Sequence, residues 1–441
     1  MISVVRNALI VNEGCVTEGD IAVEDGRIAA VGPSASCAGA DEVVDACGAY
    51  VLPGVIDTHV HFREPGMTDA ADIYSESRAA AAGGVTSYFD MPNNTPATTS
   101  AEALEAKRRS ACRNSLVNYS FYLGATCDNI DEIRALDARR VCGVKVFMGS
   151  STGNMLVDDV GALEQIFAES RVPVVAHCED MGIIDDNARR VKEQHGGDAG
   201  VEWHPRIRSA EACFKSSSQA VALARRTGAR LHVAHITTAR ELELFNPDDS
   251  RITAEVCVPH LVFCDDDYAR LGALIKCNPA VKTAADRAEL RHALTDGRIR
   301  TVATDHAPHL LSRKQGGAFT AVSGMPSVQF SLLNMLALHD EGVLTLERIA
   351  RLMCHNPAEV FGISGRGFLR EGYAADFVMV RRCEGYALQQ GDVRSKCGWS
   401  PFVGRSYSWR VERTFCNGRC VYSAREGFAS EAFPEEIVFE R

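Results

Sequence analysis

Along the first fifty residues, apolar and polar positions alternate in short runs at 4–11, 20–24 and 27–31, the last two joined by an Asp25-Gly26 turn. A period of two with turn residues between the runs predicts a small β unit. From Gly54 the texture changes to apolar strand-like runs at 54–59, 85–91, 117–123, 141–148, 172–177, 230–235, 273–277 and 301–305. Helical stretches at 75–82, 101–110, 160–170 and 211–226 lie between them, and the spacing leaves room for a crossover helix each time. Eight such units in tandem predict a closed parallel (β/α)8 barrel of the TIM type rather than an open doubly wound sheet.

The gap from His177 to Arg230 and the run from His306 to Pro326 exceed a plain crossover or loop, and long loops on such a scaffold are usually functional. After a helical segment at 347–361 the chain turns through Gly362, Gly365 and Gly367 into strand-like runs again, at 376–380 and near 409–421. The expected organisation is a barrel at 54–365 flanked by one small β-sandwich lobe built from both ends, 1–53 and 366–441.

Composition narrows the class. The 441 residues are 46% hydrophobic and 24% charged, with a mean hydropathy of −0.09, which excludes disorder, collagen and coiled coil. No apolar stretch approaches the roughly 18 residues a membrane span needs, and Arg6 and Asn7 interrupt the first run, so neither anchor nor signal peptide is expected. A formal charge of −11 argues against nucleic acid as the main partner but leaves room for a local anion pocket. The 16 cysteines are dispersed without a Cys-x-x-Cys, as expected of free thiols in a reducing cytoplasm. Cys416 and Cys420 make the only close pair and are expected to be packed thiols, not a zinc or disulfide site.

The chemistry concentrates at predicted strand ends. His59 and His61, two apart in extended backbone, face the same side at the mouth of the first barrel strand. Lys145 lies in the fourth strand, His177 ends the fifth, His235 the sixth and Asp305 the eighth, all on the rim where barrel enzymes place their chemistry. Convergence of these N and O donors predicts a metal centre. Lys145 is the odd member, since an ammonium cannot ligate a cation: either its stem packs while its head reaches solvent at the rim, or, the sharper expectation, its amine, deprotonated by burial, has added carbon dioxide and bridges two metals as a carbamate. Two Zn²⁺ against the carbamate, Asp305 and a bridging hydroxide leave about +1, which suits a small anion. Histidine-rich coordination fits zinc, and a zinc pair implies hydrolysis of an amide-like bond.

Around this centre, Arg63 is placed to grip a carboxylate with two parallel hydrogen bonds, unless it serves only a salt bridge, and Asn93 can add a donor. Asp305 can also act as general acid/base, moving a proton from the attacking hydroxide to the leaving nitrogen. His309 is within reach of the substrate carboxylate. Asn278, expected just after the seventh strand, either bonds ring amides or simply forms a turn. His232, three before His235, is expected to point outward, toward a helix; His204 and the other histidines away from strand ends are set aside.

Together, Asp57-Thr58-His59-Val60-His61-Phe62-Arg63-Glu64-Pro65-Gly66, Met91-Pro92-Asn93, Lys145, His177, His235, and Thr304-Asp305-His306-Ala307-Pro308-His309 resemble the dihydroorotases of the amidohydrolase superfamily. The likeness covers nearly the whole chain, including Ser323-Gly324-Met325-Pro326. It implies reversible ring closure of N-carbamoyl-L-aspartate to L-dihydroorotate in pyrimidine synthesis. It also implies a two-zinc shell of His59, His61, carboxylated Lys145, His177, His235 and Asp305, with Arg63, Asn93, Asn278 and His309 on the substrate. Some long-chain members replace the bridging lysine with an aspartate just beyond it; here those positions are Met148 and Gly149. Asn94 stands where relatives often carry threonine. Superfamily analogy suggests a homodimer. The rivals are an allantoinase or hydantoinase, whose substrates lack the ring carboxylate and have no use for Arg63, and a metal-free assembly partner, which would typically have lost ligands.

Overall fold

The computed structural model describes residues 2–33, 35, 39–149 and 155–441. Eight parallel strands, Val55–Val60, Val85–Asp90, Asn118–Gly124, Gly143–Phe147, Val174–His177, Leu231–Val233, Ile252–Cys257 and Thr301–Ala303, pair each with the next in chain order. The eighth returns to the first through a parallel Val60–His306 bridge, with the His61 N–H donating to the His306 carbonyl at 2.7 Å. This is the predicted TIM-type barrel. The strands are buried on both faces, as parallel strands under a helical layer must be.

One strand lies elsewhere than expected. Residues 273–277 form the 3-10 turn Gly272–Ile275 and the chain leaving it, and the seventh strand is Ile252–Cys257. That strand turns polar Thr253 and Glu255 into the barrel, so it shows no continuous apolar run; the apolar run at 273–277 is instead a buried turn under the rim. The long gap after the fifth strand contains the helices Met181–His195 and His204–Ile207 before the crossover helix Ala210–Thr227. That crossover begins at an N-cap, Ser209, and stops at Gly228 with φ 76°, a left-handed position that favours glycine.

The two chain ends meet in one sheet. Its hydrogen-bonded order is Arg27–Gly32, Cys15–Glu24, Ile2–Asn12, Tyr50–Pro53, Phe377–Ala387, Ser406–Cys416, Arg419–Ser423 and Gly427–Phe428, with Glu42–Asp45 alongside Ile2–Asn12. The join is Tyr50–Pro53 pairing antiparallel with Phe377–Ala387. Val5, Ile10, Ile21, Ile28, Val51, Phe377 and Phe415 form the lobe's own apolar cluster. Cys416 and Cys420 are free thiols, as expected. At the barrel's far end, Arg441 donates to the carbonyls of Val141 and Cys142, just before the fourth strand, while Phe361 and Phe439 pack on Phe89. The last residues thereby plug the end opposite the rim.

Candidate active site

At the rim a cavity of about 370 Å³ is lined by His59, His61, Arg63, Asn93, Lys145, His177, His235, Asn278, Asp305 and His309, together with Phe147, Lys276 and, from the long loop, Ala307, Phe319 and residues 321–324. All ten residues singled out from the sequence therefore face one space, although the first and last are 250 positions apart.

The local backbone explains how. Asp305 (φ 46°), His235 (φ 38°) and Arg63 (φ 66°) sit in the left-handed region, which costs a non-glycine residue about 1 to 3 kcal/mol each and persists where the surroundings over-determine it. The turn at His235 also overturns the expectation for His232. The strand stops at Val233, so the three-residue parity argument fails. His232 faces inward, with Nδ1 2.8 Å from Thr253 Oγ1 and its ring against Phe361. It lies in the barrel floor beneath the site.

On one side of the cavity, His61 Nε2 and His59 Nε2 lie 3.0 and 3.4 Å from Asp305 Oδ1, and the three donor atoms fall within 4.8 Å of one another. The opposite ring nitrogens are spoken for: His61 Nδ1 meets Asn93 Oδ1 at 2.8 Å and His59 Nδ1 meets Glu255 Oε1 at 2.8 Å. With those hydrogens donated outward, both Nε2 lone pairs point at Asp305, the arrangement metal-ligating histidines adopt. His177 mirrors this with its other nitrogen: Nε2 bonds Glu179 Oε2 at 3.0 Å and Nδ1 lies 2.9 Å from His235 Nε2. Burial pushes His61 down to about 4 and holds His177 and His235 below the usual range, so these imidazoles are neutral, as ligands must be.

A cation fits here on two further grounds. Among the described residues the buried Lys145 Nζ and His235 Nδ1 have no hydrogen-bond partner, an expensive state for buried polar atoms. Burial also lowers the Lys145 amine to about 8, raising its neutral, nucleophilic fraction. His59, His61 and Asp305 form a candidate metal site, with Lys145, His177 and His235 on its other flank.

The side of the cavity around Arg63 is electropositive. Arg63 is buried, donates from Nε to the Pro308 carbonyl at 3.1 Å, and places Nη2 3.0 Å from His309 Nε2. Asn93 stands behind His61, so its carbonyl orients that ring. Asn278 lines the cavity, with Oδ1 3.1 Å from Nε2 of the buried His204. Several of these supports were not foreseen. Glu255 was hidden by the misplaced seventh strand; Glu179 sits two beyond His177, a His-x-Glu spacing that could have drawn attention to it; Arg208, which bonds Glu179, and Trp399, whose Nε1 donates to the His309 carbonyl at 2.7 Å, carry no local signal.

Known proteins agree with this geometry. Residues 50–421 match the model of the amidohydrolase family. The chain is 34% identical to an allantoinase of Bacillus velezensis over 98% of both chains. It is 36% identical to an allantoinase of Rubrobacter xylanophilus, over 95% of this chain and 94% of that one. It is 33% identical to a dihydroorotase of Methanosarcina acetivorans, over 95% of this chain and 91% of that one. The solved L-hydantoinase (dihydropyrimidinase) of Arthrobacter aurescens superposes with a TM-score of 0.93 at 28% identity, over 99% of each chain. Barrel, terminal sheet and a histidine-aspartate rim thus occur in a chain matched over most of its length, and the protein belongs to the amidohydrolase family as a hydrolase of cyclic amides.

Proposed function

We propose that this cyclic amidohydrolase is a dihydroorotase, interconverting L-dihydroorotate and N-carbamoyl-L-aspartate. The observation that carries the reading is Arg63, a buried guanidinium lining the cavity beside neutral His309 with no carboxylate bonded to it among the described residues. Burial pushes it down to about 10, still far above neutrality, and a buried cation of this kind calls for an anion. The ring carboxylate of dihydroorotate meets that need; hydantoin and allantoin have none.

Two zinc ions would be held by His59, His61, Asp305, His177, His235 and a carboxylated Lys145, and when bound they supply activation of water and polarisation of the ring carbonyl. The chain's own residues do the rest. Arg63 holds the carboxylate at the outer end, with His309 beside its guanidinium, and Asn278 takes the ring amides. Asp305 accepts the proton from the attacking water and returns it to the ring nitrogen as the C–N bond breaks; ring closure runs the same path backwards. The loop at 319–324 walls the space above.

A second reading, allantoinase, draws on the two allantoinases at 34% and 36% identity. Absorbance-monitored turnover of dihydroorotate against hydantoin and allantoin, with and without chelation, tests both. Chelator-sensitive turnover of dihydroorotate well above the other two is expected; preference for allantoin would replace this reading with the second.

A further inference from the structure

Lys314, at the end of the 3-10 turn Leu311–Lys314 in the long rim loop, plays no part in the reaction as described, yet it is 4% exposed. Its Nζ donates to three backbone carbonyls, Lys276 at 2.9 Å, Val322 at 2.8 Å and Gly324 at 2.7 Å. Only the ammonium form has a hydrogen for each. Burial lowers the amine to about 7, so holding the ammonium here is costly, and the three carbonyls it gathers organise the turn that carries Ser323.

Two of them flank Ser323. Its carbonyl lies 3.0 Å from His309 Nε2, and the same nitrogen lies 3.0 Å from Arg63 Nη2. One imidazole nitrogen cannot serve both. If it carries hydrogen, it donates to Ser323 and Arg63 Nη2 keeps its hydrogens for substrate; if it is bare, it accepts from Arg63 and consumes a donor the carboxylate needs. Burial and the neighbouring Arg63 push His309 down to about 3, so one ring nitrogen is bare at neutral pH. The fit around Ser323 is close: a Cβ on Gly324 would meet the Ala307 carbonyl oxygen at 2.7 Å and His309 Cδ2 at 3.1 Å. The backbone of His309 is pinned separately, by Trp399 Nε1.

We infer that Lys314 is a positioning residue: by holding the carbonyls on either side of Ser323 it fixes the oxygen that keeps hydrogen on His309 Nε2, and so leaves Arg63 free to grip the substrate carboxylate. The carboxylate rests on the proposed function; the tautomer does not.

The test separates the two. In zinc-loaded protein labelled with ¹⁵N-histidine, the His309 signals, assigned by their loss in His309→Gln, should report the Nε2–H tautomer. Lys314→Met should shift them toward Nδ1–H. It should also raise KM for dihydroorotate about tenfold, with kcat within about threefold and metal content unchanged. Lys314→Gln, which keeps an amide donor at the site, serves if the methionine variant does not fold, and should give a smaller shift in the same direction. A wild-type Nδ1–H tautomer overturns the inference. So do folded Met or Gln variants with unchanged His309 signals, or a variant in which kcat falls while KM holds. Should dihydroorotate not be a substrate at all, the proposed function fails and the nitrogen spectra still decide the role of Lys314.

Discussion

Replacing Glu255 with glutamine tests how the site is supported from below. Glu255 is 1% exposed; its Oε1 takes the His59 Nδ1 hydrogen at 2.8 Å, its Oε2 takes the Thr58 hydroxyl at 2.9 Å, and His232 Nε2 lies 3.7 Å away. Burial alone would raise this carboxyl, but His59 and His232 hold it well below the usual range, so it is an anion facing a ring that must present Nε2 to the cavity. Glutamine keeps the size and an acceptor oxygen but removes the charge. Loss of one charge-assisted bond is worth about 1.5 to 3 kcal/mol. The loss of an outer partner of a metal-bound histidine typically weakens metal affinity about 10- to 100-fold, or about 1.4 to 2.7 kcal/mol, so the two routes agree. Zinc dissociation constants from competition with a chromophoric chelator, on Glu255→Gln and wild type at one pH, should differ by that factor. A ratio within about threefold would mean that Glu255 is a core acid with no hold on the site, and the orientation argument for His59 would fall.

Arg63→Met should raise KM for dihydroorotate roughly 30-fold or more, corresponding to about 2 kcal/mol, while metal content stays at the wild-type value; an unchanged KM would favour the allantoinase reading. Lys145→Met should drop metal content from two ions per chain to one or fewer by elemental analysis, and native mass spectrometry of wild type should show a chain heavier by one carbon dioxide; two ions in the variant would exclude a bridging role. Glu179, which burial alone would raise, is drawn down to about 2 by Arg208 and His177, against about 4.3 when unfolded. A depressed carboxylate contributes stability that is complete above the unfolded value and is lost as pH falls toward the folded one. In chelator-treated protein, the urea midpoint of wild type should therefore exceed that of Glu179→Gln at pH 6, and the gap should narrow as pH falls from about 4.3 toward about 2; a constant gap would contradict the ion pair.

Much of this architecture was legible because two signals are local. Strand ends in a parallel barrel share a rim, so histidines and acids at the ends of apolar runs converge without any knowledge of packing; His59, His61, His177, His235 and Asp305 all followed from this rule. The seventh strand did not, because its inward face carries Thr253 and Glu255 while the run at 273–277 buries its apolar side chains in a turn. His232 was misread because the parity rule assumes extended backbone as far as His235, and the left-handed turn there is a tertiary effect. Trp399 and Arg208 reach the site through the fold alone, from chain segments whose own pattern is unremarkable.

The terminal sheet has a consequence for synthesis. Tyr50–Pro53 has its long-range partner in Phe377–Ala387, so the edge that leads out of the first lobe strands must wait for the 323 residues between Pro53 and Phe377. At about 5 to 20 residues per second that is roughly 16 to 65 s, during which a young strand with open hydrogen-bonding groups accompanies a barrel still emerging from the ribosome. The barrel can close first and the lobe last, which makes the interval before the C-terminal strands arrive the period when a nascent chain most needs a chaperone.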